Sequence, residues 1–255
     1  MAANKFAFDH PDDALAALAD RLETTEIESG VTIDDCLGRV LASDIVADRD
    51  SPAADVSAMD GYAIRIRDLE RAGEFAIGGE SAPGAPPPAM TTDAVIRIFT
   101  GAIVPAGAEA VIKREDTEEL DGAIRFRDAA LGTPVGEHIR RAGENAKAGS
   151  TVLAAGVSLT PAHLATMANF GCDRTSVHSR VRVSIITTGD EVGSVSNQAP
   201  QPWQLRNSNR ASLTGVLSGK NWIDPPWSDH CVDDRQVLTE MLASRLQQSD
   251  AVLLT

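Results

Sequence analysis

Val181-Arg182-Val183-Ser184-Ile185-Ile186-Thr187-Thr188-Gly189-Asp190-Glu191 is the stretch on which the architecture turns. A β-branched apolar run that stops at a glycine and two carboxylates reads as a buried strand feeding a loop. The pattern then predicts a helix from about Asn209 to Leu217, a short strand near Trp222, a helix from about Asp234 to Gln247 and a strand from Ala251 to Thr255. Strand alternating with helix implies right-handed crossovers and a parallel sheet. Such sheets bind ligands beyond the carboxyl ends of their strands, which selects Thr188-Gly189-Asp190-Glu191 and whatever should follow Thr255. The chain stops on an apolar strand where a ligand loop is expected, so it reads as a fragment or truncated product.

Upstream, the rhythm differs. Pro11 suits a first helical position, and Leu15, Leu18 and Leu22 recur at helical spacing behind Asp12 and Asp13, predicting an amphipathic opening helix. A second helix is expected from Thr32, capping the N–H of Asp35 and carrying Ile33, Leu37, Val40 and Leu41, with short strands at Val31 and Ile45-Val46. From about Ser51 to Glu137 glycine and proline rise, and strands are expected at Val95 to Phe99, Ala110 to Lys113 and Ala123 to Arg127, a β-rich insertion. Thr160-Pro161 then opens a helix that stops at Gly171.

Composition excludes several functions. The 255 residues carry a net charge of −14, which repels polyanions and argues against generic nucleic-acid binding. No apolar run reaches the roughly 18 residues of a membrane span. Cys36, Cys172 and Cys231 are too far apart for a CxxC pattern and read as reduced, cytoplasmic thiols; the N-terminus lacks the parts of a secretory signal. The five histidines contain no i, i+4 pair, so a histidine metal site is not expected. Gly215 to Asn221 has three residues between its glycines and no Ser/Thr after Lys220, so it is no phosphate loop. Trp203, Trp222 and Trp227 are not interleaved with basic residues and read as packing or loop anchors.

Four further segments have two readings each. Ser57-Ala58-Met59-Asp60-Gly61-Tyr62-Ala63 sets a carboxylate beside a glycine that permits close approach of backbone or ligand; on the heptad alone an Asx-turn closed by Asp60 is favoured. Thr100 to Ala108 is either a wide turn or a backbone cradle for an anion. Lys113-Arg114-Glu115-Asp116 and Arg140-Arg141-Ala142-Gly143-Glu144 mix cations with carboxylates. Such clusters are mostly solvated surface pairs, and otherwise sites where cations hold an oxyanion and carboxylates hold a divalent metal.

Taken in order, Leu37-Gly38-Arg39-Val40-Leu41-Ala42, Ser57 to Ala63, Thr100 to Ala108 with Ala110-Val111 and Glu115, Ile139 to Glu144, and Val183 to Glu191 resemble one family. It is the MoeA-type molybdopterin molybdenumtransferases, which include the C-terminal domain of gephyrin. The resemblance implies a multidomain α/β fold: a discontinuous α+β scaffold (1–50 and 138–177), an inserted β-rich domain (51–137) and the start of a parallel, MogA-like α/β domain (178–255). It implies insertion of molybdate into adenylylated molybdopterin with release of AMP, assisted by a divalent cation such as Mg²⁺. Asp60 and Glu191 are the implied catalytic carboxylates and, with Asp233, the implied metal ligands. Thr100, Gly101, Arg140, Thr188, Gly189 and Asp190 are the implied substrate contacts. A cytoplasmic homodimer follows, with a MogA-like adenylyltransferase as a further partner and neither nucleic acid nor membrane.

The sequence departs from the family pattern at several places. The Gly-Gly-x-Ser loop expected after Thr255 and the final barrel are absent, Asn145 replaces an acidic residue, Asn207-Ser208-Asn209 replaces Asp-x-Asn, and Gly193 to Arg206 is unlike the usual Gly-rich loop. The expectation is therefore an inactive piece of a molybdenum-inserting enzyme. The alternative is a catalytically silent dimeric binding scaffold of the gephyrin type. A stand-alone MogA-type protein would leave residues 1–177 unexplained.

Overall fold

The computed structural model describes residues 8–193 and 199–255. The readings made on the first seven residues and on part of the 193–206 segment lie outside them. The chain divides into two compact units, Met1–Ile45 with Leu153–Thr255, and Val46–Val152. The β-rich stretch expected over 51–137 falls inside the second unit. The strands of the three principal sheets are, in chain order, β1 (Ile27–Thr32), β2 (Gly61–Ile64), β3 (Glu74–Ser81), β4 (Ala94–Ile98), β5 (Ala110–Lys113), β6 (Thr117–Glu119), β7 (Ala123–Phe126), β8 (Arg174–His178), β9 (Val183–Thr188), β10 (Trp227–Cys231) and β11 (Ala251–Leu254). The helices are α1 (Pro11–Ala19), α2 (Pro161–Asn169), α3 (Ser208–Ser218) and α4 (Arg235–Gln248).

In the first unit, β1 pairs antiparallel with β8, Ile27 opposite His178 and Val31 opposite Thr175. Helix α2 begins as its sequence predicts: Thr160 Oγ1 accepts the N–H of His163, whose Nδ1 accepts the N–H of Thr160. The helix expected from Thr32 shrinks to one 3-10 turn, Ile33–Asp35. Thr32 Oγ1 donates to the Asp35 carboxylate at 2.7 Å instead of capping its N–H, and Gly38 turns the chain away at φ +75°. Val40 and Leu41 then make extended bridges to Ser158 and Val177, so the apolar spacing at 37, 40 and 41 comes from an irregular segment over a core. Helix α1 forms but ends at Ala19, before Leu22, and its leucines are uncovered: Leu15 and Leu18, like Leu22 beyond it, are exposed.

The parallel sheet has the order β10-β9-β11, with the apolar run Val183 to Thr187 buried at its centre. The strand expected near Trp222 is displaced to Trp227–Cys231. Pro225 and Pro226 have no N–H to give a ladder, so pairing starts beyond them, and Ile223 makes only an isolated bridge to Val181. The tryptophans are not packing anchors. Trp203, Trp222 and Trp227 are all exposed, and the Arg245 guanidinium lies over the Trp227 ring, 5.3 Å from its centre.

The second unit is organised by a six-stranded sheet of order β5-β2-β4-β3-β7-β6, antiparallel except between β3 and β4. Both faces are covered, and side chains alternate between them as a strand requires. Tyr62 and Ile64 join Phe75, Val95, Ile112 and Ile124 in one core, whereas Ala63 joins Ile96, Ile98, Ala102 and Val111 in the other. Gly61 opens β2 opposite Ile98 on one side and Lys113 on the other. A Cβ there would lie 1.9 Å from the Ile112 carbonyl oxygen, so the glycine serves close approach of backbone.

Gly61→Ala is therefore expected to lower stability by about 1–3 kcal/mol or more, as overpacking does. Gly215 sits in α3 with nothing within 4 Å of a built Cβ, and Gly215→Ala should stabilise by about 0.5–1 kcal/mol. Urea denaturation of the two variants beside the parent checks both signs.

Candidate active site

Asp60 does not close its own loop. Its Oδ1 reaches across 40 residues to accept the backbone N–H of Thr100 at 2.7 Å and the Thr100 hydroxyl at 2.8 Å. The backbone beside it is fixed in turn. Gly101 N–H donates to Ser57 O, Ser57 N–H donates to Ala102 O, and Arg114 N–H donates to Asp60 O. The Thr100 N–H, then its hydroxyl, hold the Asp60 carboxyl below the usual aspartate range, with the charge of Arg114 adding to them. Asp60 is thus an exposed, ionised carboxylate on a rigid base, and among the described residues its Oδ2 accepts no hydrogen bond. The N–H groups of Thr100, Gly101 and Ala102 are all used, on Asp60 Oδ1, Ser57 O and Phe99 O, so these three are not free to cradle an anion.

Arg140 lies in the same unit, on a short strand that pairs with Val56–Ser57, opposite Val56. Its guanidinium is held by Glu144 Oε1 at 3.3 Å and Asn145 Oδ1 at 2.7 Å. Asn145, neutral where the family pattern has an acid, retains the acceptor and gives up the charge. Asp55 completes the corner by accepting the Ala142 N–H and pairing with Arg141 at 2.6 Å. The Ala142 N–H is the main cause, ahead of Arg141, of an Asp55 carboxyl held below the ordinary range.

Thr188, Gly189, Asp190, Glu191 and Asp233 belong to the first unit, at the carboxyl ends of the parallel strands. The Thr188 N–H donates to Thr255 O at 2.7 Å, and Gly189 N–H donates to Cys231 O. Asp190 and Asp233 exchange hydrogen bonds, each backbone N–H donating to the other's carboxylate at 3.4 and 3.1 Å. Gly189 has φ +127°, and a built Cβ would meet the Glu191 carboxylate at 2.6 Å, so this turn requires glycine. Among the described residues, no three His, Cys, Asp or Glu side chains gather as a metal-binding group.

Two features escaped sequence reasoning. The first is the cluster Tyr62, Arg97, Arg114 and Glu119 beside Asp60. Its available signals were the chain's single tyrosine and the Lys113-Arg114 pair, a type of cluster read as mostly solvated surface. The second is the role of Asn207, noted in the sequence only as a lost acid: it is 5% exposed and caps α3 through Oδ1, 3.0 Å from the Arg210 N, while its Nδ2 donates to Thr187 Oγ1 at 2.7 Å. An aspartate could accept but not donate here. A larger polar cavity of about 380 Å³ in the first unit, lined by Glu28, Thr32, Asp35, Arg39, Arg174 and Arg180 among others, contains Arg39 of the first family motif but none of the implied catalytic, substrate or metal residues.

These loops sit on a fold with known relatives. Residues 10–171 match the family described as the MoeA N-terminal region, domains I and II. The chain is 33% identical over 208 residues to a molybdopterin molybdenumtransferase of Haemophilus influenzae, covering 81% of this chain and 50% of that protein. It is 38% identical over 193 residues to molybdopterin molybdenumtransferase 2 of Mycobacterium tuberculosis, covering 73% and 47%. The crystal structure of a molybdopterin biosynthesis MoeA protein from Pyrococcus horikoshii matches with a TM-score of 0.83 at 29% identity, covering 95% of this chain and 65% of the other. Fold and motifs together define a multidomain α/β protein of the MoeA class. The chain belongs to the MoeA family, and it spans about half the length of the curated relatives it matches.

Asn207→Asp should destabilise the first unit by about 1–3 kcal/mol at neutral pH, because it buries a charge and removes the donor to Thr187. The loss should shrink as the pH falls and the new carboxyl is protonated. Thermal melts at neutral and mildly acidic pH check both parts.

Proposed function

We propose that this chain is part of an enzyme of molybdenum cofactor biosynthesis that inserts molybdate into adenylylated molybdopterin with release of AMP, the piece by itself being inactive. The observation that carries the reading is the Asp60–Thr100 link, which joins two family motifs and leaves an ionised carboxylate open to solvent. In this reading Asp60 and Glu191 are the catalytic carboxylates. Thr100 and Gly101 hold the Asp60 loop, and Arg140 meets substrate charge while Glu144 and Asn145 fix its direction. Thr188, Gly189 and Asp190 contribute the end of the parallel sheet at which a ligand of this fold class binds.

Carboxylate oxygens are the donors that a hard divalent cation takes, and the open Oδ2 of Asp60 suits that role. Asp60 is the residue of the second unit that would meet Mg²⁺, which when bound would neutralise phosphate charge and polarise the bond that releases AMP; Glu191 and Asp233 belong to the other unit, and no three such side chains gather among the described residues. The Thr100 N–H and hydroxyl hold the Asp60 carboxyl below the usual aspartate range, which suits a cation ligand.

A MogA-like adenylyltransferase is the partner class that would supply the adenylylated substrate, and the setting is the cytoplasm. No helix among the described residues is long and apolar enough to cross a membrane. A homodimer is part of the reading. The uncovered Leu15, Leu18 and Leu22 on and just after α1 offer an apolar face that a two-fold contact could cover.

Asp60→Asn keeps an acceptor oxygen for Thr100 and removes the charge, so in the full-length protein it should lower molybdenum insertion by about a hundredfold or more without altering the fold. Turnover near the parent value would remove Asp60 from the mechanism. Light scattering of the parent should report twice the chain mass, and a strict monomer would count against the dimer.

A further inference from the structure

The first family motif, Leu37 to Ala42, lies in the other unit from Asp60, and its one charged residue is buried. Arg39 is 3% exposed and lines the polar cavity of about 380 Å³ in the first unit. Its Nη2 donates to Glu28 Oε2 and to His178 O at 3.0 Å, its Nε has no partner, and its Nη1 makes no hydrogen bond among the described residues. A guanidinium buried with those N–H groups unanswered lacks an acceptor. The cavity is the side from which one can come.

The same motif shapes a second wall. Gly38, at φ +75°, admits Asn221 so closely that a built Cβ would lie 2.6 Å from the Asn221 Cβ, and Asn221 O in turn accepts Arg180 Nε at 3.0 Å. A third wall is the irregular part of β1, between Glu28 and Val31, where Gly30 O accepts Arg174 Nη1 at 2.8 Å. One backbone carbonyl thus anchors each of these two arginines. Among the described residues, Nη1 and Nη2 of Arg180 and Nε and Nη2 of Arg174 make no hydrogen bond, and each pair is a complete fork for a planar oxyanion.

The charged residues that line the cavity are these three arginines with Glu28 and Asp35, which leaves one net positive charge. Glu26, Asp34 and Asp173, close by in sequence, do not line it and are exposed, where water and salt screen them. A dianion would overfill that balance beside Glu28 and Asp35, whereas a single carboxylate matches both the charge and the forks. Glu28 Oε1 and Asp35 Oδ1 accept no hydrogen bond among the described residues, so a hydroxyl on the ligand finds an acceptor. The volume is that of a site for a small molecule. We propose that this cavity binds a small hydroxycarboxylate of single negative charge, held by the forks of Arg174 and Arg180 with Arg39 beside them. The proposal is independent of the reading of Asp60 and gives the first unit a ligand site of its own.

The full-length protein is titrated in low-chloride buffer with glycolate, acetate, glycolamide and inorganic phosphate, followed by ligand-observed NMR. Glycolate should bind saturably and more tightly than acetate, and glycolamide, which lacks the charge, should not bind. Arg174→Gln and Arg180→Gln should each weaken glycolate about tenfold, the loss of a charge-assisted hydrogen bond, and Arg180→Lys should lose less. Arg235→Gln, the same change of charge outside the cavity lining, should lose nothing. Arg174 and Arg180 are exposed, so their variants should keep the fold, and thermal melts verify this. No saturable binding of glycolate, tighter binding of phosphate than of glycolate, or glycolate affinity within twofold of the parent in both glutamine variants overturns the proposal. A crystal structure in saturating glycolate with only water beside Arg39 overturns it as well.

Discussion

The second unit depends on a side chain that is missing. With hydrogen alone at residue 61, β5 lies against β2 closely enough for the Ile112 carbonyl to occupy the place of a Cβ. That approach lets Arg114 N–H reach Asp60 O just beyond the pairing, and it sets Tyr62 into the core with its hydroxyl on Glu119. Burial foremost, and then Glu119, push the Tyr62 phenol up, and its hydrogen bond in turn holds the Glu119 carboxyl below the usual range. Backbone contact, core packing and the charge pattern around Asp60 thus share one cause.

Much of this was legible in order along the sequence. The strands at 94–98, 110–113 and 123–126, the helix opened by Thr160-Pro161 and the parallel sheet after Val181 follow from periodicity and punctuation that act locally. The failures came where a distant partner overrode a local preference. Thr32 looks like a cap, but Gly38 ends the turn and Leu41 is buried by residues 157 and 177. Asp60 looks like an Asx-turn until Thr100, 40 residues on, supplies a better donor pair. The Arg114–Glu119–Tyr62 cluster joins two strands and the 3-10 turn between β5 and β6, and leaves no short motif to read.

The departures from the family pattern have a common physical logic. Asn145 and Asn207 each replace an expected acid with an amide that the structure uses as an acceptor, toward Arg140 and toward the α3 N-terminus. At Asn207 the amide also supplies a donor in a buried place, where a carboxylate would be costly. Local hydrogen-bond demand therefore accounts for one of the two changes in full and for the retained contact in the other.

The pairing of β1 with β8 has a consequence for how the chain is made. Ile27 meets His178 only after the whole of Val46–Val152 has emerged, whereas every strand of the six-stranded sheet lies within that interval. During synthesis the inner unit can therefore collapse while the opening residues still wait for their partner. An already compact insert shortens the effective loop that β1 must close, and the entropy of that closure falls with it. Assembly runs from the middle of the chain outward, and a lesion in the inserted sheet would delay the flanking unit even though it alters none of its contacts.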